Sequence, residues 1–314
     1  MNFPDKGTLL DTVKGGILTL ALFLAYISLP LVGMLPGLFA PLPGMYYTVK
    51  RGKAVGVAVV LITTAVLAII ADSSALLLYL VQSGLISLAL PYFLDRGYGA
   101  ARAILFSVAV SMACILLFAA AVWLVRGVDL HGEILKGINY SISQTASLYE
   151  KSGLTGEELQ SLQQGMKQAG ALIGRVYPAL VLVGIGAIAG LNLLVLARLA
   201  ARLNRPLQIG DFRKFRNPDH LIWVVIATGF ALLLKSADVT TAALNVLIVT
   251  LSLYFLQGLA IITHLFDRFA VPRFVRVIFY VLLALQPYLT VAVAALGIFD
   301  LWGNFRTPKQ QKNL

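Results

Sequence analysis

Four polar side chains share one stripe of an otherwise apolar run, and they are the residues best placed to do chemistry. Thr250, Gln257 and His264 recur at intervals of seven, which on an α-helix drifts only about 20° per step. Tyr254 lies between Thr250 and Gln257 on the same stripe. Hydroxyl, amide and imidazole groups are costly against lipid, so within a membrane they face a bundle interior or a wet cavity. Gln82, Asn192 and Gln286 add uncharged polar groups inside three other apolar runs. Such a set can line a cavity for a polar organic ligand. It can equally hold helices together by hydrogen bonds worth about 0.6 kcal/mol each.

The motifs of soluble enzymes are missing from the sequence: it has no GxxxxGK[ST], HExxH, CxxC or GxSxG pattern. His131, His220 and His264 belong to three different segments, and Cys114 is the single cysteine. Neither a metal cluster nor a disulfide is expected from that inventory. No acidic residue falls at the centre of an apolar run, which gives proton- or sodium-coupled carboxylate chemistry little footing. The expectation is a protein without catalytic activity, cofactor or metal.

The elements that must position these residues are membrane helices. Of the 314 residues, 59% are hydrophobic and only 12% are charged, against about 25% charged in soluble domains. Nine apolar segments can be drawn: about 12–34, 36–49, 54–71, 74–94, 100–125, 172–197, 221–236, 239–266 and 274–302. Crossing ~30 Å of hydrocarbon takes about 20 helical residues, so the second and seventh are short. The second belongs to the stretch Leu29–Lys53, which carries Pro30, Pro36, Pro41 and Pro43. Proline removes a backbone donor and clashes with the preceding turn, and broken backbone survives in hydrocarbon only inside protein or beside water. A Pro-broken segment is thus a candidate site-former, as in transporters with discontinuous helices. It reads equally well as a tight hairpin between spans. The fold class expected is all-α: a polytopic transmembrane bundle of 8–9 spans, with a Pro-broken second span and an external helical hairpin.

Charge sets the orientation. With the N-terminus inside and every segment crossing, sixteen of the 25 Lys and Arg residues fall inside, as the positive-inside rule asks. That order places 127–170 outside, 198–220 inside and the C-terminal Arg306, Lys309 and Lys312 outside. Trp123, Trp223 and Trp302 fall at segment ends, where aromatic belts form. Within 127–170, Leu135, Ile138, Ile142 and Leu148 recur at near-helical spacing, and Thr155 with Glu158 reads as a capping box. The inner loop carries Arg213, Lys214 and Arg216 interleaved with Phe212 and Phe215. Such a patch suits anionic lipid headgroups or a membrane or cytoplasmic protein partner; nucleic acid is not expected. Asp72 is expected to cap the fourth span, and Asp300 to sit at the interface. Small residues at Ala21 and Ala25, and at Gly186 and Gly190, permit close helix approach.

The stretches PLPGMYYTVKRGK (41–53), SGLTGEELQSL (152–162), FRKFRNPDHLIW (212–223) and YFLQGLAIITHLFDR (254–268) resemble the YybS-like family of uncharacterised bacterial multipass membrane proteins. The resemblance implies a bacterial inner-membrane location, with a cytoplasmic N-terminus from the charge map. The family is in turn similar to the substrate-binding S components of energy-coupling-factor transporters, which implies partner docking through Ala21 and Ala25. The extra spans and the 127–170 insertion depart from that pattern. The resulting division is 1–126 as an N-terminal bundle, 127–170 as an external insertion, 171–304 as a C-terminal bundle and 305–314 as a tail. Two functions stay open. One is a substrate-binding, transporter-like protein for a small polar organic molecule, without its own ATPase. The other is a scaffold of the cell-envelope or division machinery, similar to MreD-type proteins.

Overall fold

A computed structural model describes residues 5–29, 32–151 and 156–306. Every regular element in it is helical. Six helices are long and apolar enough to cross a membrane: α1 (Lys6–Ser28), α4 (Lys53–Ile70), the run formed by α5 (Ser73–Tyr79) and α6 (Leu85–Asp95), α7 (Ala100–Arg126), α9 (Glu157–Arg202) and α11 (Ala237–Arg268). A seventh is reached if α12 (Arg273–Leu285) and α13 (Pro287–Gly303), bent by 108°, are counted as one span. The expected 8–9 spans are therefore not matched by helices of crossing length. Prolines cut the second segment into α2 (Met34–Gly37) and α3 (Leu42–Arg51), and α10 (Leu221–Ala231) has only 11 residues. The remaining helix is α8 (Leu130–Lys151).

The chain forms two compact units, 1–131 with 184–210 and 132–183 with 211–314. The boundary between them falls within α9, which runs for 46 residues. At 1.5 Å per residue it is roughly 69 Å long, well over twice the hydrocarbon thickness.

In the first unit the broken segment returns along α1. Gly37 meets Tyr26, Gly15 meets Tyr47, and Asp11 binds Lys50 at 3.0 Å and Arg51 at 2.6 Å. α2 and α3 thus cover α1 from its far end back to its start. Gly52 then reverses the chain with φ of 106°, which L side chains rarely adopt, and α4 runs back alongside α1. Phe23, Ala40, Leu67 and Tyr79 close the interior, with Phe23 edge-on to Tyr79 at 5.3 Å. Asp72 caps α5 as expected, accepting from the Ala75 amide at 2.8 Å. A π-helical turn, Leu80–Gly84, joins α5 to α6.

In the second unit α8 packs antiparallel to the start of α9: Ile142 and Ile138 meet Gly170, and Leu135 meets Gly174. The amphipathic spacing of 127–170 is thereby used. Thr155 of the capping box lies outside the described residues. Pro178 interrupts the hydrogen-bond ladder of α9, and Asn245 of α11 fills the gap. Its Nδ2 donates to the Arg175 carbonyl at 2.8 Å and its Oδ1 accepts from the Ala179 amide at 2.9 Å.

The pair α12–α13 leaves α11 and comes back to the same end of it. Near its start, Arg276 binds Asp267 and the Phe266 carbonyl. After its end, Arg306 donates to the Arg213 carbonyl at 3.1 Å, and Arg213 binds Asp267 at 3.0 Å. The C-terminal residues and the 211–219 loop therefore share one end of this unit. Arg306 and this loop, expected on opposite sides, thus meet in one unit, while Lys309 and Lys312 lie outside the described residues. A 108° bend at Gln286-Pro287 separates α12 from α13, the geometry of a broken span or of a re-entrant loop. Single cysteines at Lys214 and Asn304, in a Cys114→Ala background, should react with an impermeant maleimide from the same membrane face. Labelling from opposite faces would show that α12–α13 crosses.

Candidate functional site at the C-terminal end of α11

The polar stripe of α11 does face the interior of its unit. Thr250 is buried and donates to the Val246 carbonyl at 2.8 Å. Tyr254 is fully buried, and its hydroxyl meets no hydrogen-bond partner among the described residues. Gln257, also fully buried, accepts from the Asn217 amide at 2.9 Å and donates to Asp300 at 3.1 Å. Asn217 in turn donates to the Leu253 carbonyl at 2.9 Å, so the 211–219 loop reaches well down the side of α11. His264, one turn from the helix end, is the stripe residue that reaches an open cleft.

Residues of the other segments divide in the same way. Asn192 is buried and donates to the Leu38 carbonyl at 2.8 Å. Ser87 donates to the Pro41 carbonyl at 3.1 Å, and Arg205 to the Val49 carbonyl at 2.7 Å. The carbonyls of the Pro-broken segment thus find side chains of the first unit, as hydrocarbon demands. Gln82 is half-buried in the π-turn, and Gln286 is exposed at the α12–α13 bend. Ala21 is exposed and Ala25 half-buried on α1. Lys214 points to solvent, and Arg216 pairs with the exposed Asp219 at 3.0 Å.

Around the end of α11 the basic loop is organised. Asp211 caps the short turn Phe212–Lys214 and grips Arg213 at 2.9 Å. Arg213 also reaches Asp267, which Arg276 shares. The Arg213 hydrogen bonds hold the Asp211 carboxyl below its usual pKa, and Asp211 followed by Asp267 raises that of Arg213. The loop is fixed by ion pairs on one side and by Asn217–Gln257 on the other. Asp300, expected at the interface, is only 4% exposed. It accepts from Gln257 and from the Phe305 amide, and faces Arg306 at 3.3 Å. Its neighbour Trp302 is exposed and gave the helix end its interfacial look.

These groups border a cleft of about 330 Å³ lined by Arg213, His264, Asp267, Arg268 and Arg306. Three guanidiniums against one carboxylate make it a cation-rich recess. Arg268 has no carboxylate partner among the described residues and lies over the Phe269 ring at 5.8 Å. Among the described residues, no group of three or more His, Cys, Asp or Glu side chains is arranged to hold a metal. Sequence reasoning singled out His264 and Arg213 but missed Asp267, Arg268 and Arg306 as their neighbours. The signal was the closing FDR of α11, where charge returns to an apolar run.

Long apolar helices with polar groups turned inward define a multi-pass helical membrane protein. The chain belongs to the family described as "Predicted membrane protein (DUF2232)", whose model matches residues 17–301. It is 22% identical over 300 residues to the "Uncharacterized protein YybS" of Bacillus subtilis (strain 168), covering 93% of this chain and 96% of that protein. The YybS-like resemblance drawn from the sequence therefore holds. No solved structure matches the chain.

Proposed function

We propose that this membrane protein binds a ligand instead of catalysing a reaction, in a transporter-like role for a small polar molecule carrying an anionic group. The single observation that supports this reading is the recess joining His264 to Arg213, Arg268 and Arg306. Thr250, Tyr254 and Gln257 are buried inside the helix packing, so ligand access is at the end of α11. The sequence carries no ATPase motif, and energy for transport would come from a partner protein.

The orientation that suits this reading has the N-terminus in the cytoplasm of a bacterial inner membrane. The Pro-broken segment runs the length of α1 and counts as a crossing, as does α10. Eight crossings followed by a re-entrant α12–α13 pair bring the C-terminus back inside. Nineteen of the 25 basic residues then face the cytoplasm, a stronger asymmetry than the sequence alone suggested.

The test is thermal unfolding of the detergent-purified protein with matched anionic, neutral and cationic small molecules. Anionic members should raise the transition, and Arg268→Gln should cancel the gain while leaving the unliganded protein unchanged. Equal response to all three charge classes would remove the binding reading. A scaffold role is supported by one other observation, the close packing of Gly258 and Gly297 with the Gln257–Asp300 lock. Capture of an envelope protein by crosslinking at Lys214 and Arg216, with no ligand effect, would favour it.

A further inference from the structure

We infer that the recess at the end of α11 is a site for a phosphate group, with Arg306 and Arg268 as its principal donors. This deepens the anionic-ligand reading above and rests on it. Three observations carry the inference. The first is an unmet demand: Nε and Nη2 of Arg306 are buried without a hydrogen-bond acceptor among the described residues, and Asp300 Oδ2 lies 3.3 Å from Nη2. Buried guanidinium donors are seldom left without acceptors, since the desolvation cost is then uncompensated. Burial first, and the neighbouring Arg216 charge after it, pull the Arg306 pKa down, with the Asp300 charge working against them. Asp300 meets Nη2 only at 3.3 Å and leaves Nε without an acceptor, which an anion in the recess would supply.

The second observation is that Arg268 brings a guanidinium to the same recess without forming an ion pair among the described residues. Arg213, by contrast, is committed to Asp211 and Asp267. Two guanidiniums of separate origin, one at a helix end and one beyond α13, suit a tetrahedral oxyanion with oxygens on several sides. A planar carboxylate is satisfied by a single fork. His264 adds an imidazole able to donate to a third oxygen. The third observation is location. α12 starts beside the recess at Arg276 and exposes Phe274, Val277, Val281 and Leu285, an apolar surface that belongs in lipid. A phosphate held here sits at headgroup depth, and it can be a lipid's or free in solution.

The experiment uses full-length protein purified in detergent and also reconstituted in phosphatidylcholine nanodiscs with or without phosphatidic acid. Inorganic phosphate, sulfate and citrate are titrated in the first preparation, following thermal unfolding. Native mass spectrometry counts retained phosphatidic acid in the second. Retention of phosphatidic acid with no response to inorganic phosphate identifies a lipid headgroup; the reverse identifies a free phosphate compound. In either case Arg268→Gln should weaken the effect about tenfold, the loss of one charge-assisted hydrogen bond. Arg306→Gln should do the same, and Arg306→Lys should restore part of it. Should Arg306 variants not fold, Arg268→Gln alone decides, because Arg268 holds no ion pair in the structure. Stabilisation by citrate but by no phosphate species would end the phosphate assignment and leave the anionic reading intact. No response to any anion would end both.

Discussion

Gly258→Val will drive α11 and α13 apart and cost about 3 kcal/mol or more of stability. A Cβ at Gly258 would overlap the Val293 carbonyl oxygen, and one at Gly297 would overlap that of Tyr254. The two glycines face each other across the helix crossing, so each backbone fills the space the other leaves. Extra methylenes in a packed core cost about 1–3 kcal/mol when side chains can yield. Here the obstacle is main chain, which cannot turn away, and the cost belongs at or above the top of that range. Small residues at crossings are the membrane's own means of tight packing, since hydrocarbon supplies little apolar driving force between helices. Gly229→Val is the control, because a Cβ there meets nothing within 4 Å. Thermal unfolding in one detergent checks both variants. Equal transitions for the two would show that the α11–α13 contact is not close in the native protein.

Asp300→Ala should be nearly as damaging, at about 3–5 kcal/mol, because it strands a buried positive charge. Arg306 would lose the carboxylate that faces it, and Gln257 Nε2 and the Phe305 amide would lose their acceptor. Exposed ion pairs are different in kind. Asp219→Ala breaks a pair open to solvent and should cost no more than about 1 kcal/mol. The coupling is testable with Arg306→Gln: the double variant should be less destabilised than the sum of the two singles. Additive losses would mean that Asp300 and Arg306 act independently.

Much of the architecture was legible in the sequence because hydropathy measures how deep a residue sits. The long helices, the Asp72 cap, the inward stripe of Thr250, Tyr254 and Gln257, and the amphipathic α8 all follow from local spacing. What local spacing does not carry is the identity of distant partners. Asn192 was visible as a polar residue in an apolar run. That it meets the Leu38 carbonyl, 154 residues away, is decided by packing in the first unit. Asp300 looked interfacial because it neighbours Trp302, yet the two side chains leave the helix in different directions, one inward and one to the surface. Gln286-Pro287 signalled a break in the last segment, but proline marks where a helix stops without saying where the chain turns next. The recess at the end of α11 was hidden for the same reason. Its residues come from a loop, a helix end and the chain's last described residue.

The Asn245 bridge across Pro178 has a consequence in time. The groups it joins are 66 and 70 residues upstream, so α9 is synthesised well before its splint. At roughly 5–20 residues per second, Pro178 waits about 3–14 s with its neighbouring backbone groups unclaimed. Arrival of α11 supplies both missing partners, and the closed hydrogen-bond ladder at Pro178 is an acquired property.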